Sequence, residues 1–221
     1  MDKFIVLQDI ITSRRSTKPA VLNGRKIDDQ QIQQLLSLAN WAPTHANTEP
    51  WRFIVYSGDA VQQFCHRHAE LYKQSTPPEK FNTAKYEKQQ HNGDKASHLI
   101  AVYMQRGTNP NITELEEICA TAAAVQNILL GAETLDIAVL WSTGGSTLAP
   151  AMKEFLGTGQ GRPHDRTAVH GVCGRTRQTR PPPPHRTQNK MDQRLSGLTP
   201  ENLFFPSRCF LSKQKLRPIT G

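Results

Sequence analysis

Thr113 to Leu135 constrains the fold of this chain more than any other stretch. It opens with Thr113-Glu114-Leu115-Glu116, a hydroxyl that can cap a helix followed by acids that suit its positive end. Its middle, Cys119-Ala120-Thr121-Ala122-Ala123-Ala124-Val125, is small and apolar on nearly every side. Such a helix needs cover on more than one face. It belongs at the centre of one subunit's core or against a second subunit, and the small residues permit the close approach that either requires.

Shorter elements can be read around it. Phe4, Ile5, Leu7, Ile10 and Ile11 fit one face of a short helix ending near Ser13-Arg14-Arg15-Ser16. Asp28 or Asp29 caps a second helix with a stripe of Ile32, Leu35, Leu36 and Leu38 or Ala39, and Pro43 stops it. Trp51 to Tyr56 reads as a strand bounded by Ser57-Gly58, and 60–72 as a helix. The polar segment 73–95, with Pro77-Pro78, predicts a mobile excursion. Leu99–Met104 and Ile137–Trp141 are apolar runs suited to buried strands, and Pro150–Leu156 opens a short helix with Gly157 as its cap.

Charge is unevenly spread. Residues 1–158 carry 15 Lys and Arg against 16 Asp and Glu, whereas 159–221 carry 12 against 3. The formal net charge of +8 therefore belongs to the C-terminal third. A basic tail can bind nucleic acid or an anionic membrane surface, but the plainer reading is a solvated segment, and nothing in it shows aromatic interleaving. Cys65, Cys119, Cys173 and Cys209 form no CxxC pair, so neither a zinc site nor any other metal site is expected, and free thiols fit a reducing compartment. The N-terminus lacks the features of a signal peptide and no run of about 18 apolar residues occurs. A cytoplasmic location without a membrane span is the expectation.

Three segments carry chemistry. Ser13-Arg14-Arg15-Ser16-Thr17-Lys18 gathers guanidiniums, hydroxyls and an ammonium at a helix end, a group suited to phosphate and a sugar chain. Trp41 to Trp51 is a polar loop pinned by Pro43 and Pro50 between a helix and a strand, and it carries His45 and Glu49. Taken alone, His45 also fits a structural role. Leu140-Trp141-Ser142-Thr143-Gly144-Gly145 ends a strand in a Gly-rich turn that can cradle a polar ring edge.

The order of these pieces over about residues 4–158 resembles the nitroreductase family of FMN enzymes. The resemblance is strongest to its small branch with an APxHxxxxPWRF loop, here Ala42-Pro43-Thr44-His45 through Pro50-Trp51-Arg52-Phe53. It implies an α+β fold, a three-layer α-β-α sandwich around a mostly antiparallel sheet, and a homodimer with FMN at its interface. By position, Arg14, Arg15 and Ser16 match the element that grips FMN phosphate, ribityl chain and pyrimidine edge. His45 and Glu49 match flavin contacts of the loop; relatives often have Gln at the latter position, and a carboxylate is a poor donor. Trp141, Ser142 and Thr143 match the element beside the isoalloxazine, where many relatives carry Arg in place of Ser142. The implied activity is NAD(P)H-dependent reduction of nitroaromatic, quinone or similar acceptors by ping-pong hydride transfer, with the flavin carrying the chemistry and no acid–base side chain assigned. A non-catalytic FMN-binding paralogue and a nucleic-acid-binding tail are the competing readings.

The family-like domain is expected over 1–166, with 167–221 as a basic, Pro- and Arg-rich tail. Its Pro181–Pro184 run and lack of periodicity fit disorder. A shifted reading frame is the other explanation: read one nucleotide later, the segment after Thr167 permits a hydrophobic strand, a Gly and a Pro-bounded turn, and Met191-Asp192 forces a Trp.

Overall fold

The computed structural model describes residues 2–144 and 146–157, together with the backbone of a strand over Ala168–Gly174. The tail expected to be disordered or out of frame lies, apart from that strand, outside the described residues.

Helix α1 (Lys3–Ser13) is followed by α2 (Asp29–Ala39) and strand β1 (Trp51–Ser57). Next come α3 (Asp59–Ser75), α4 (Thr83–Gln90) and β2 (His98–Met104). The chain continues through α5 (Glu114–Thr134), β3 (Ala138–Ser142), α6 (Pro150–Phe155) and β4 (Ala168–Gly174). The strands form one sheet in the order β1-β2-β4-β3, every adjacent pair antiparallel. Alternation along β2 sends Ile100 and Val102 to one face, into a core with α2 and α5, and Leu99 and Ala101 to the other, with α3 and α6. Helices therefore cover both faces, giving the three-layer α+β sandwich.

Local chemistry explains the element ends. Asp28 accepts from the Gln30 N–H at the start of α2, and Thr113 with Glu116 closes a capping box on α5. Within the single chain α5 already buries Ala120, Ala124, Val125, Ile128, Leu129 and Ala132. Leu115 and Cys119 remain exposed along its remaining edge.

Two expectations change. The apolar residues of α1 do not form a buried face: no residue of the helix is buried, and Phe4 is 70% exposed. The helix packs on α5 by one side, and no described residue covers the other. The segment 73–95 is ordered, because Asn82 caps α4 by accepting from the Lys85 N–H, and Phe81 packs between Tyr72 and Tyr86. The sheet also includes a fourth strand, β4. Strand β4 fills the slot between β2 and β3, where backbone pairing is required whatever the side chains, and Val169 and Val172 suit it.

Candidate functional site

Arg14, Arg15 and Ser16 leave α1 at its C-terminus. The Arg14 N–H closes the helix on the Ile10 carbonyl. The Arg15 guanidinium turns back, its Nη1 donating to the carbonyls of Thr12, Ser13 and Arg14 at 2.6, 2.9 and 2.9 Å. These are the acceptors that a helix end leaves open. Its Nε is buried and has no hydrogen-bond partner among the described residues. Ser16 then pairs with Val139 in a parallel bridge, and the Thr17 N–H donates to the Val139 carbonyl at 3.1 Å. The element thus runs along the open edge of β3, the strand that ends in Trp141 and Ser142 with Thr143 next in line. The bridge is parallel, so Arg14 and Arg15 lie toward the start of β3 and Lys18 toward the end that carries Trp141 and Ser142.

A cavity of about 180 Å³ opens beside Ser142. Lys18, Lys85, Lys88 and Gln89 give it its polar wall, and Phe64 and Leu140 are among its apolar residues. Gln89 is only 7% exposed, and its Oε1 has no hydrogen-bond partner among the described residues. A buried, unsatisfied amide oxygen facing a cavity is a place for a ligand's donor. Burial, assisted by the Lys85 charge, lowers the pKa of His68 on the same wall to about 4, so that ring is neutral near pH 7. Burial, then the Asp94 carboxylate, pushes the Cys65 thiol up to about 12, so it is no nucleophile. Gln89, Lys85 and Lys88 were not among the residues singled out from the sequence. Their sole signal was the i, i+3, i+4 spacing in a segment read as a loop.

The His45 loop is a second, separate assembly. His45–Asn47 forms a single 3₁₀ turn, and Ala46, Asn47 and Glu49 have φ values of 50°, 54° and 41°. Left-handed backbone at non-glycine residues costs of order 1–2 kcal/mol each and persists only where the surroundings impose it. Here Thr44 Oγ1 accepts from the Glu49 N–H at 3.2 Å, and Arg52 Nη1 donates to the carbonyls of Glu49 and Trp51, each at 2.8 Å. Trp51 Nε1 donates to Asn40 Oδ1 at 3.0 Å, tying the strand to the end of α2. His45 and Glu49 are exposed. His45 Nδ1 lies 3.0 Å from Glu116 Oε1. The other oxygen of Glu116 accepts from the Thr113 N–H at 2.7 Å and its hydroxyl at 2.9 Å. The Thr113 N–H, then its hydroxyl, then His45 hold the Glu116 carboxyl below the usual carboxylate range.

No hydrogen bond among the described residues joins this loop to Arg14–Ser16 or to Trp141–Thr143. Within one chain the expected site is therefore in two parts. No helix among the described residues is long and apolar enough to cross a membrane, and no group of three His, Cys, Asp or Glu that could hold a metal occurs among them.

The family model described as Nitroreductase family matches residues 11–172, from the end of α1 into β4. The chain belongs to the nitroreductase family. Membership makes it a flavin oxidoreductase by class. It is 29% identical over 140 residues to the Bacillus subtilis (strain 168) protein that bears the name NAD(P)H nitroreductase YfhC, covering 63% of this chain and 70% of that one. The nitroreductase-like family protein of Bacillus cereus has a similar structure: TM-score 0.67 and 21% identity over 88% of this chain and 96% of that one. A nitroreductase homologue from Desulfovibrio desulfuricans, solved in complex with FMN, gives a TM-score of 0.60 and 22% identity over 81% of this chain and 91% of that one. The family match reaches into β4.

Proposed function

We propose that this nitroreductase-family chain binds FMN and uses NAD(P)H to reduce nitroaromatic, quinone or similar acceptors, working as a homodimer. The observation that carries the reading is the parallel bridge of Ser16 to Val139, which brings the chain that follows Arg14-Arg15 alongside β3, next to the cavity lined by Lys18, Ser142 and Gln89. These residues fit FMN. Arg14 and Lys18 offer charge to a phosphate, and Arg15 Nε is a donor without a partner among the described residues. Gln89 Oε1 can accept from a ring N–H, and Phe64 and Leu140 provide apolar surface for a ring. Bound FMN would supply the two-electron hydride chemistry, while the residues bind, orient and set the local charge. Lys18, Lys85 and Lys88, with His68 kept neutral, give the cavity a positive field that favours added negative charge.

The cavity is smaller than the roughly 300–1,000 Å³ of a pocket that encloses a cofactor-sized ligand. A partner subunit would complete it. The exposed apolar strip of Phe4, Ile5, Leu7 and Ile11 on α1, with Leu115 on α5, is the surface suited to that partner. His45 and Glu49, separate from the other six residues within one chain, would then serve the partner's flavin. The test is FMN-dependent oxidation of NADH or NADPH with and without a nitroaromatic acceptor. Acceptor-dependent turnover supports the reading. FMN binding without any NAD(P)H oxidation would instead support a non-catalytic flavin protein.

A further inference from the structure

Glu116 has two tasks in this fold. Oε2 closes the capping box of α5 on Thr113, and Oε1 faces His45 Nδ1 at 3.0 Å. An ionised carboxylate only accepts hydrogen bonds. The bond therefore requires a proton on Nδ1, and in the neutral ring this leaves Nε2 bare. No described residue hydrogen-bonds Nε2, and the His45 side chain is 60% exposed. Left-handed backbone at Ala46 and Asn47 shapes the turn that follows His45, and the carboxylate at Nδ1 selects which nitrogen carries the proton.

We infer that Glu116 is a positioning residue that locks His45 in the Nδ1–H tautomer and so presents Nε2 as a hydrogen-bond acceptor to the flavin. The inference rests on the assignment of His45 to the cofactor site. Flavin supplies donors of the matching kind, a ring N–H and the ribityl hydroxyls. The arrangement couples the N-terminus of α5 to the loop that carries His45 through one side chain.

Glu116→Gln separates the two tasks. Gln closes a capping box as Glu does, and its single oxygen is then taken by the Thr113 N–H. Its amide NH₂ faces His45 Nδ1, which must become the acceptor, so the proton moves to Nε2. Thr113→Ala is the complementary control, since it weakens the cap and leaves the carboxylate beside His45. The tautomer is read from the ¹⁵N resonances of His45 in alkaline buffer, and FMN affinity from quenching of flavin fluorescence, both on the full chain.

The expected result is an Nδ1–H ring in the wild type and in Thr113→Ala, and an Nε2–H ring in Glu116→Gln. Glu116→Gln is expected to keep the wild-type melting temperature and to bind FMN roughly tenfold more weakly, the scale of one mismatched hydrogen bond. The same tautomer in wild type and Glu116→Gln would overturn the inference. So would inverted tautomers with unchanged or tighter FMN binding, which would show that Nε2 is no acceptor for the cofactor. A wild type that takes up no FMN would sink the cofactor assignment, and the tautomer comparison would still decide the role of Glu116.

Discussion

Two residues hold conformations or charge states that the chain imposes at a cost. Ala46, at φ 50°, occupies a region where its Cβ is crowded. Ala46→Gly is expected to raise stability by about 0.5–1 kcal/mol, the relief of that crowding less the greater freedom of unfolded glycine. A denaturant midpoint shifted upward at constant slope checks it. His68 has a folded pKa of about 4, below its ordinary 6.5. As pH falls from about 6.5 to 4 the unfolded chain takes up the proton first, so stability is lost across that window, by up to about 3 kcal/mol. His68→Gln should remove that part of the acid slope, and stability against pH for the two proteins measures it. A parallel slope in both would contradict the burial of a neutral ring. Neither feature was legible in the sequence, because a left-handed alanine and a desolvated imidazole depend on neighbours distant along the chain.

Among elements, the loop before α5 depends on one ion pair. Glu117, 1% exposed, pairs with Arg106, and its Oε1 accepts from the Gly107 N–H at 2.9 Å. Arg106 also donates to the Ile112 carbonyl at 2.7 Å. Arg106→Ala leaves a buried carboxylate without its counter-ion and is expected to cost about 3–5 kcal/mol. Thermal melts of Arg106→Ala and of the double variant Arg106→Leu/Glu117→Leu test this, the double variant being expected to lose less. The sequence showed the parts of elements that are local: the Asp28 and Thr113 caps, the apolar run of β2, and the helical content of α5. It concealed α4, since Pro77-Pro78 and a polar composition read as loop, and only the stacking of Phe81 on Tyr72 shows what orders it. With α4 went Lys85, Lys88 and Gln89, the cavity wall that spacing alone could not place. Strand β4 was hidden for a different reason, because its place is set by the gap between β2 and β3 rather than by its own pattern.

At the scale of the whole molecule, one chain holds the candidate site in two parts and leaves an apolar strip uncovered. The same second copy would resolve both. Leu115, 68% exposed, is on α5, the helix against which α1 packs, and does not line the cavity. Leu115→Glu should place charge in the subunit contact, convert the protein to monomer by light scattering, and lower FMN affinity with it. A monomeric variant with undiminished FMN binding would show that each chain carries a complete site.

The central claim is that Arg14–Ser16, the end of β3 and the Gln89 cavity assemble into an FMN site. The most direct measurement is a titration of the purified full chain with FMN, followed by flavin fluorescence and by visible absorption after desalting. Saturable binding that approaches one FMN per chain is expected, weakened by Arg14→Ala and by Gln89→Leu. A colourless chain that takes up no added FMN, or binding that neither substitution alters, would contradict it.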